Sequence, residues 1–212
     1  MALLELRNIS LGFKNQTLFQ DLNLTIQQGE KVVISGQSGI GKSSLLKLIL
    51  GFIPDFKGDV FFNNDRIDHT NIWKLRRNIG YISQDSDIGE GKVSQIIDEI
   101  FALKANIKLK PDQQHIKELF NYFRLEESTL NKDFEDLSGG EKKRVAIIIS
   151  LLLNREFFFL DEITAGLDEE VQQTVINYFI QSNHTAIIIS HDKEWLNKKG
   201  VKEFKLEKFK QS

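Results

Sequence analysis

The sequence predicts an α/β fold: a mostly parallel core sheet covered by helices, with an α-helical subdomain inserted into it. Three observations predict it. The short β-branched runs Val32-Val33-Ile34 and Ile187-Ile188-Ile189 suit strands buried on both faces, as parallel strands are. Strand-like and helix-like segments alternate along the chain, the signature of an α/β sheet. The stretch 85–136 differs, with helical apolar spacing over 95–104 and 112–123 and no convincing strand. It reads as a helical lobe; two further core helices are the alternative.

The expected strands are 3–9, 19–26, 31–35, 59–62, 79–83, 156–161, 186–190 and 201–206. A single domain then spans 1–212, with 1–84 and 137–212 as the core and 85–136 as the helical subdomain. A chain of 212 residues is long enough to bury about 70% of its unfolded surface. It contains no Cys, which excludes disulfides, cysteine-ligated zinc and thiol catalysis, and fits a reducing compartment. The net charge of −2 gives no basic field, so no nucleic acid is expected as a partner. The start, MALLELRNIS, lacks the basic end, apolar run and cleavage site of a signal peptide. The longest apolar stretch, 145–153, is interrupted by Ser150 and is too short to span a bilayer. The expectation is a soluble chain whose membrane role, if any, comes through a partner.

The segment Gly36-Gln37-Ser38-Gly39-Ile40-Gly41-Lys42-Ser43 has the phosphate-loop pattern: Gly, four residues, then Gly-Lys-Ser. Its glycines let the backbone turn tightly and aim N–H groups at phosphate oxygens. An apolar helix follows, and its positive end would point at the same place. Lys42 is expected to reach the β- and γ-phosphates, and Ser43 to place its hydroxyl on Mg²⁺. The candidate ATP-binding stretch runs through Ser44.

Phe157-Phe158-Phe159-Leu160-Asp161-Glu162 is an apolar strand ending in two acids. Ligands of open α/β sheets sit beyond such strand ends. Asp161 is the candidate Mg²⁺ holder, through water. Glu162 is the candidate to polarise an attacking water.

Two further segments point to a family. Leu137-Ser138-Gly139-Gly140-Glu141-Lys142-Lys143-Arg144 resembles the signature motif of ATP-binding cassette (ABC) ATPases, and Ile188-Ile189-Ser190-His191-Asp192 resembles their switch-histidine strand. Ser138 and Glu141 also have the spacing of a capping box, and Gly139 and Gly140 leave that helix end open to an anion. The resemblance implies ATP and Mg²⁺ as ligands, an N-terminal antiparallel β lobe, and a homo- or heterodimer of cassettes. In such a dimer the phosphate loop of one copy and the signature turn of the other enclose one ATP. It further implies that His191 contacts the γ-phosphate and that Gln84 approaches Mg²⁺ and the attacking water. Phe13 aligns with the aromatic that stacks on adenine, with a core or surface role as its rival. Asp168 would lie in a dimer-bridging loop. There the sequence departs from the family's LDEPTSALD: Ile163 replaces Pro, Ala165 replaces Ser, and Gly166 replaces Ala. Lys42 and Glu162 are kept, so an active ATPase is expected.

The resemblance suggests a transporter subunit bound to a separate integral membrane permease, peripheral on the cytoplasmic face of the membrane. LDEIT-x-x-LD followed by HDK resembles small cassettes of bacterial iron export. A soluble ABC ATPase of iron–sulfur assembly would share every motif. Coiled-coil DNA-repair types need a far longer insert, and zinc-bearing ones need cysteines. The lysines Lys198, Lys199, Lys202, Lys205, Lys208 and Lys210 interleave with Glu203 and Glu207. They read as a solvated sheet edge, with contact to anionic lipid as the alternative.

Overall fold

The computed structural model describes residues 2–13, 16–85 and 87–209, without the side chain of Lys208. Five parallel strands form the central sheet in the order β6-β7-β8-β3-β9. They are β3 (Lys31–Ser35), β6 (Ile79–Ile82), β7 (Phe157–Asp161), β8 (Thr185–Ile189) and β9 (Val201–Lys205). Antiparallel β1 (Ala2–Phe13), β2 (Gln16–Gln27), β4 (Lys57–Phe62) and β5 (Asp65–Ile67) form a second sheet, in the order β2-β1-β4-β5.

The apolar strand runs are explained by what covers them. Phe157 and Phe159 of β7 join Val32, Ile34, Ile187 and Ile189 in one core, closed by α1 (Lys42–Ile49) and the antiparallel sheet. Phe158 and Leu160 face the other way, with Val33, Ala186 and Ile188, into a core closed by α3 (Val93–Ala102), α4 (Gln113–Tyr122), α5 (Gly139–Leu152) and α6 (Glu169–Gln181). Successive side chains of a strand point to opposite faces, so burial on both faces demands an unbroken apolar run.

Helix ends follow local chemistry. Asp112, Ser138 and Asp168 cap α4, α5 and α6 through side-chain oxygens. At the end of α1, Gly51 at φ 71° donates its N–H to the Leu48 carbonyl, and Phe52 donates to Lys47, closing the last turn.

Three elements go beyond the sequence expectation. β5 pairs with β4 across Asn63-Asn64, both left-handed, which is the backbone a two-residue hairpin requires. The short α2 (Ile72–Arg76) and the whole of α6 are the others. Between β6 and α5 the described residues form α3, α4 and short 3₁₀ turns with an isolated bridge between Lys92 and Asp133 but no strand, so they are helical as expected. β9 is the edge of the central sheet. Along it Lys202 pairs with Glu30 and Lys205 with Glu203, and just before it Lys198 bonds Gln173 and Asn177 of α6. Lys210 and the Lys208 side chain lie outside the described residues.

Candidate nucleotide site

The site gathers at the C-terminal ends of β3, β7 and β8. The loop after β3 leads into α1, whose N-cap is Gly41 at φ 110° with no side-chain cap. A Cβ at Gly41 would strain this conformation and approach Leu18 Cδ1 to 3.2 Å. The first amides of α1 are left without a capping side chain, and its first turn carries no acid, as an anion seat requires.

Lys42 is buried, and its ammonium donates to the carbonyls of Gly36 (2.7 Å) and Gln37 (3.2 Å). The loop thus holds its own cation over the cradle. Ser43 Oγ stands 3.5 Å from Asp161 Oδ1. Burial pushes the Asp161 carboxyl above the usual carboxylate range, opposed by the Ser43 hydroxyl, the Lys47 and Lys42 ammonium groups and the Tyr81 hydroxyl. A buried carboxylate beside a hydroxyl suits a hard oxygen-liganded cation such as Mg²⁺, and the two lysines suit the phosphate oxygens that would complete its shell.

Glu162 turns out of β7 in the left-handed conformation, φ 53°, which few non-glycine residues adopt. Its N–H donates to the Ile189 carbonyl at 2.9 Å. This turn sends its carboxylate toward β8, with Oε1 3.5 Å from His191 Nε2 and Oε2 accepting the His191 N–H at 3.4 Å. The His191 side chain is 63% exposed while that of Glu162 is 13% exposed, so the pair spans from the sheet end to the open face.

The signature turn forms a reciprocal cap: Ser138 N–H donates to Glu141 Oε2 (2.9 Å), and Glu141 N–H donates to Ser138 Oγ (3.3 Å). That bond from the Ser138 N–H is the main reason the Glu141 carboxyl lies below its usual range. Nothing lies within 4 Å of where a Gly139 Cβ would be. Among the described residues no hydrogen bond or ion pair joins 138–141 to 36–44.

The structure therefore brings together Lys42, Ser43, Asp161, Glu162 and His191. Gln84 is exposed and makes no hydrogen bond to them; it lines a cleft of about 420 Å³ with Gly139, Lys142 and Lys143. Phe13 is 49% exposed on the β1 end, free of the core. The Asp168 carboxylate caps α6 by accepting the Val171 N–H at 2.9 Å, so in this chain it is occupied by its own helix. Of the departures before it, Ile163 is buried in the core, and Gly166 sits at φ 77° with open space around it.

Three residues have a place at the site that the sequence does not assign them. Tyr81 lies against Asp161, and burial, then the Asp161 carboxylate, pushes its hydroxyl upward. Lys143 donates to the carbonyls of Ala165 and, at 3.4 Å, Glu162, tying α5 to the loop after β7. Glu207 bonds the phosphate loop. Lys143 lies in the signature segment and Tyr81 just before Gln84, but neither spacing points at the acids; only the fold sets them there.

A phosphate loop on a parallel sheet, with an acid-tipped strand one strand removed in the same sheet, defines a P-loop nucleotide-binding domain. The chain belongs to the ABC transporter family: the family model matches residues 19–165, a span that includes the phosphate loop, the signature turn and the acidic strand end. ABC ATPases of this family bind and hydrolyse ATP.

The chain is 31% identical over 210 residues to the ergothioneine transport ATP-binding protein EgtV of Helicobacter pylori (strain G27), covering 97% of both chains. It is 29% identical to the "Probable iron export ATP-binding protein FetA" of Escherichia coli (strain K12), covering 92% of this chain and 87% of that one. Among solved structures, CbiO1 of Clostridium perfringens, part of the ABC transporter complex cbiONQ, superposes with TM-score 0.74 at 28% identity. That match covers 90% of this chain and 79% of CbiO1. A longer relative from Clostridium tetani (strain Massachusetts / E88), 31% identical over 188 residues, is spanned over 41% of its length.

Proposed function

We propose that this chain is the ATP-hydrolysing subunit of a transporter whose membrane-spanning part is a separate permease. On this reading it works as a dimer of cassettes on the cytoplasmic face of the membrane. One observation carries the catalytic part: the left-handed turn at Glu162 sets its carboxylate against His191, beside the Ser43–Asp161 pair.

The residues then divide the work. Lys42 leaves the loop carbonyls for the β- and γ-phosphates, and the first amides of α1 take phosphate oxygens. Ser43 and Asp161 would hold Mg²⁺, whose charge would offset that of the phosphates. Glu162 accepts the proton of the attacking water, and His191 fixes that water and the γ-phosphate. Phe13 offers a π-face to adenine. Gln84 joins from its cleft beside the helical subdomain.

The idle signature turn supports the dimer. Gly139 and Gly140 offer unhindered backbone at a capped helix start, and nothing of the chain's own phosphate loop bonds to them. They suit the phosphates of ATP held by a second copy.

Transport rather than assembly is favoured by the relatives of matching length, whose names speak of ergothioneine transport and iron export. No helix among the described residues is long and apolar enough to cross a membrane, so on this reading the permease is another chain. Tagging the chain in its native cell, solubilising gently and identifying the companions by mass spectrometry tests this. A stoichiometric polytopic membrane protein is expected. A soluble companion alone would replace the transporter with an assembly ATPase of the iron–sulfur kind and leave the active-site reading standing.

A further inference from the structure

Glu207 sits on the 3₁₀ turn Leu206–Phe209, directly after β9. Its Oε1 accepts the N–H of Gln37 at 2.9 Å, across 170 residues of sequence. The same peptide unit gives its carbonyl, that of Gly36, to the Lys42 ammonium at 2.7 Å. No cis peptide bond occurs among the described residues, and in a trans peptide the C=O and N–H point opposite ways. Lys42 and Glu207 therefore grip the first peptide of the phosphate loop from opposite edges. The carboxylate stands outside the cradle, across the peptide from the ammonium.

The turn that carries Glu207 is anchored, while Glu207 itself is exposed. Leu206 beside it is fully buried, and β9 pairs in parallel with β3 up to Ser35↔Lys205, which brings the turn next to Gly36. A Cβ at Gly36 would lie 3.3 Å from Glu207 Oε1 and 2.9 Å from Ile40 Cγ2, so this side of the loop is closely packed.

We infer that Glu207 is a positioning residue for ATP binding, an outer clamp that keeps the Gly36–Gln37 peptide in place when phosphates draw Lys42 away. The inference rests on the ATP-binding reading of the loop. Without Glu207 the peptide loses its hold on both edges in the bound state, and ATP must order the loop at the expense of its own affinity.

The test uses the full chain and three substitutions. Glu207→Ala removes the clamp. Glu207→Asp keeps the charge but shortens the reach. Glu207→Gln keeps an acceptor oxygen without the charge. The affinity for a fluorescent ATP analogue, KM and kcat for ATP, and the melting temperature are measured for each. Ala and Asp should raise KM and Kd about tenfold, equivalent to about 1.4 kcal/mol, with kcat at saturating ATP changed less than twofold. Gln should restore binding to within about threefold of the unsubstituted chain.

Affinities within twofold for all three variants would overturn the inference, as would tighter binding, which would mark the carboxylate as a simple repellent of phosphate. A parallel fall of kcat with a melting temperature lowered by many degrees would also overturn it, showing a merely structural role. If Glu207→Ala does not fold, the contrast between Asp and Gln decides alone. Lys42→Ala measured alongside separates the failures: if it too leaves ATP binding unchanged, the reading of the loop itself falls.

Discussion

Replacing Glu162 by Gln isolates proton acceptance from everything else Glu162 does. The backbone is fixed independently of the side chain: its N–H bonds Ile189 at 2.9 Å and its carbonyl accepts from Lys143. Gln occupies the left-handed region at the same cost as Glu, so φ 53° survives the change. The amide oxygen can still accept the His191 N–H, now 3.4 Å from Oε2. What the amide cannot do is take a proton. Loss of a general base lowers the rate about 10²–10⁴-fold, or about 2.7–5.4 kcal/mol of barrier. We expect phosphate release at saturating MgATP to fall at least about a hundredfold, with ATP affinity changed less than about threefold. Because ATP then stays bound, light scattering with ATP should show a doubled mass. A variant that releases phosphate within about threefold of the unsubstituted rate would refute the assignment of Glu162 as base.

Lys42→Ala should abolish tight MgATP binding in a calorimetric titration, since the loop loses the ammonium bonded to its carbonyls; unchanged affinity would remove the phosphate-loop assignment. Asp161 gives a pH prediction. Its folded pKa is raised by burial, so without metal its contribution to stability is present at low pH and is lost as pH rises through its ordinary and then its folded pKa. Asp161→Asn should therefore raise the metal-free melting temperature at pH 7. In the unsubstituted chain Mg²⁺-dependent ATP affinity should weaken as pH falls toward the region just above the usual carboxylate range, and a flat profile would argue against Asp161 as metal holder. Phe158 is fully buried, its ring 5.4 Å from that of Phe179 and 4.8 Å from that of His184. Phe158→Ala should cost about 3–5 kcal/mol in denaturant unfolding.

The legible part of the molecule is the part written in local patterns. Val32-Val33-Ile34 and Phe157-Phe158-Phe159-Leu160 announced strands buried on both faces because a strand's period of two leaves no polar position when both faces are covered. The capping box of Ser138 and Glu141 was readable because its two partners are three residues apart. The Asn63-Asn64 hairpin and α6 carried signals of the same kind. In α6 an Asp168 cap precedes Val171, Val175, Ile176 and Phe179 at helical spacing, but reading Asp168 as part of a loop hid them.

The sequence by itself determined the sheet class, the phosphate loop and the acids at the end of β7, because each depends on neighbours along the chain. Only the tertiary structure decided that Glu162 turns left-handed to meet His191, that Tyr81 and Lys143 stand beside the two acids, and that Glu207 holds Gln37 from across the chain. The reason is strand order. β9 pairs with β3, and β7 lies between β6 and β8, so segments separated by most of the chain deliver their side chains to the C-terminal end of one sheet. Local periodicity fixes which face a residue takes, but not which strand becomes its neighbour.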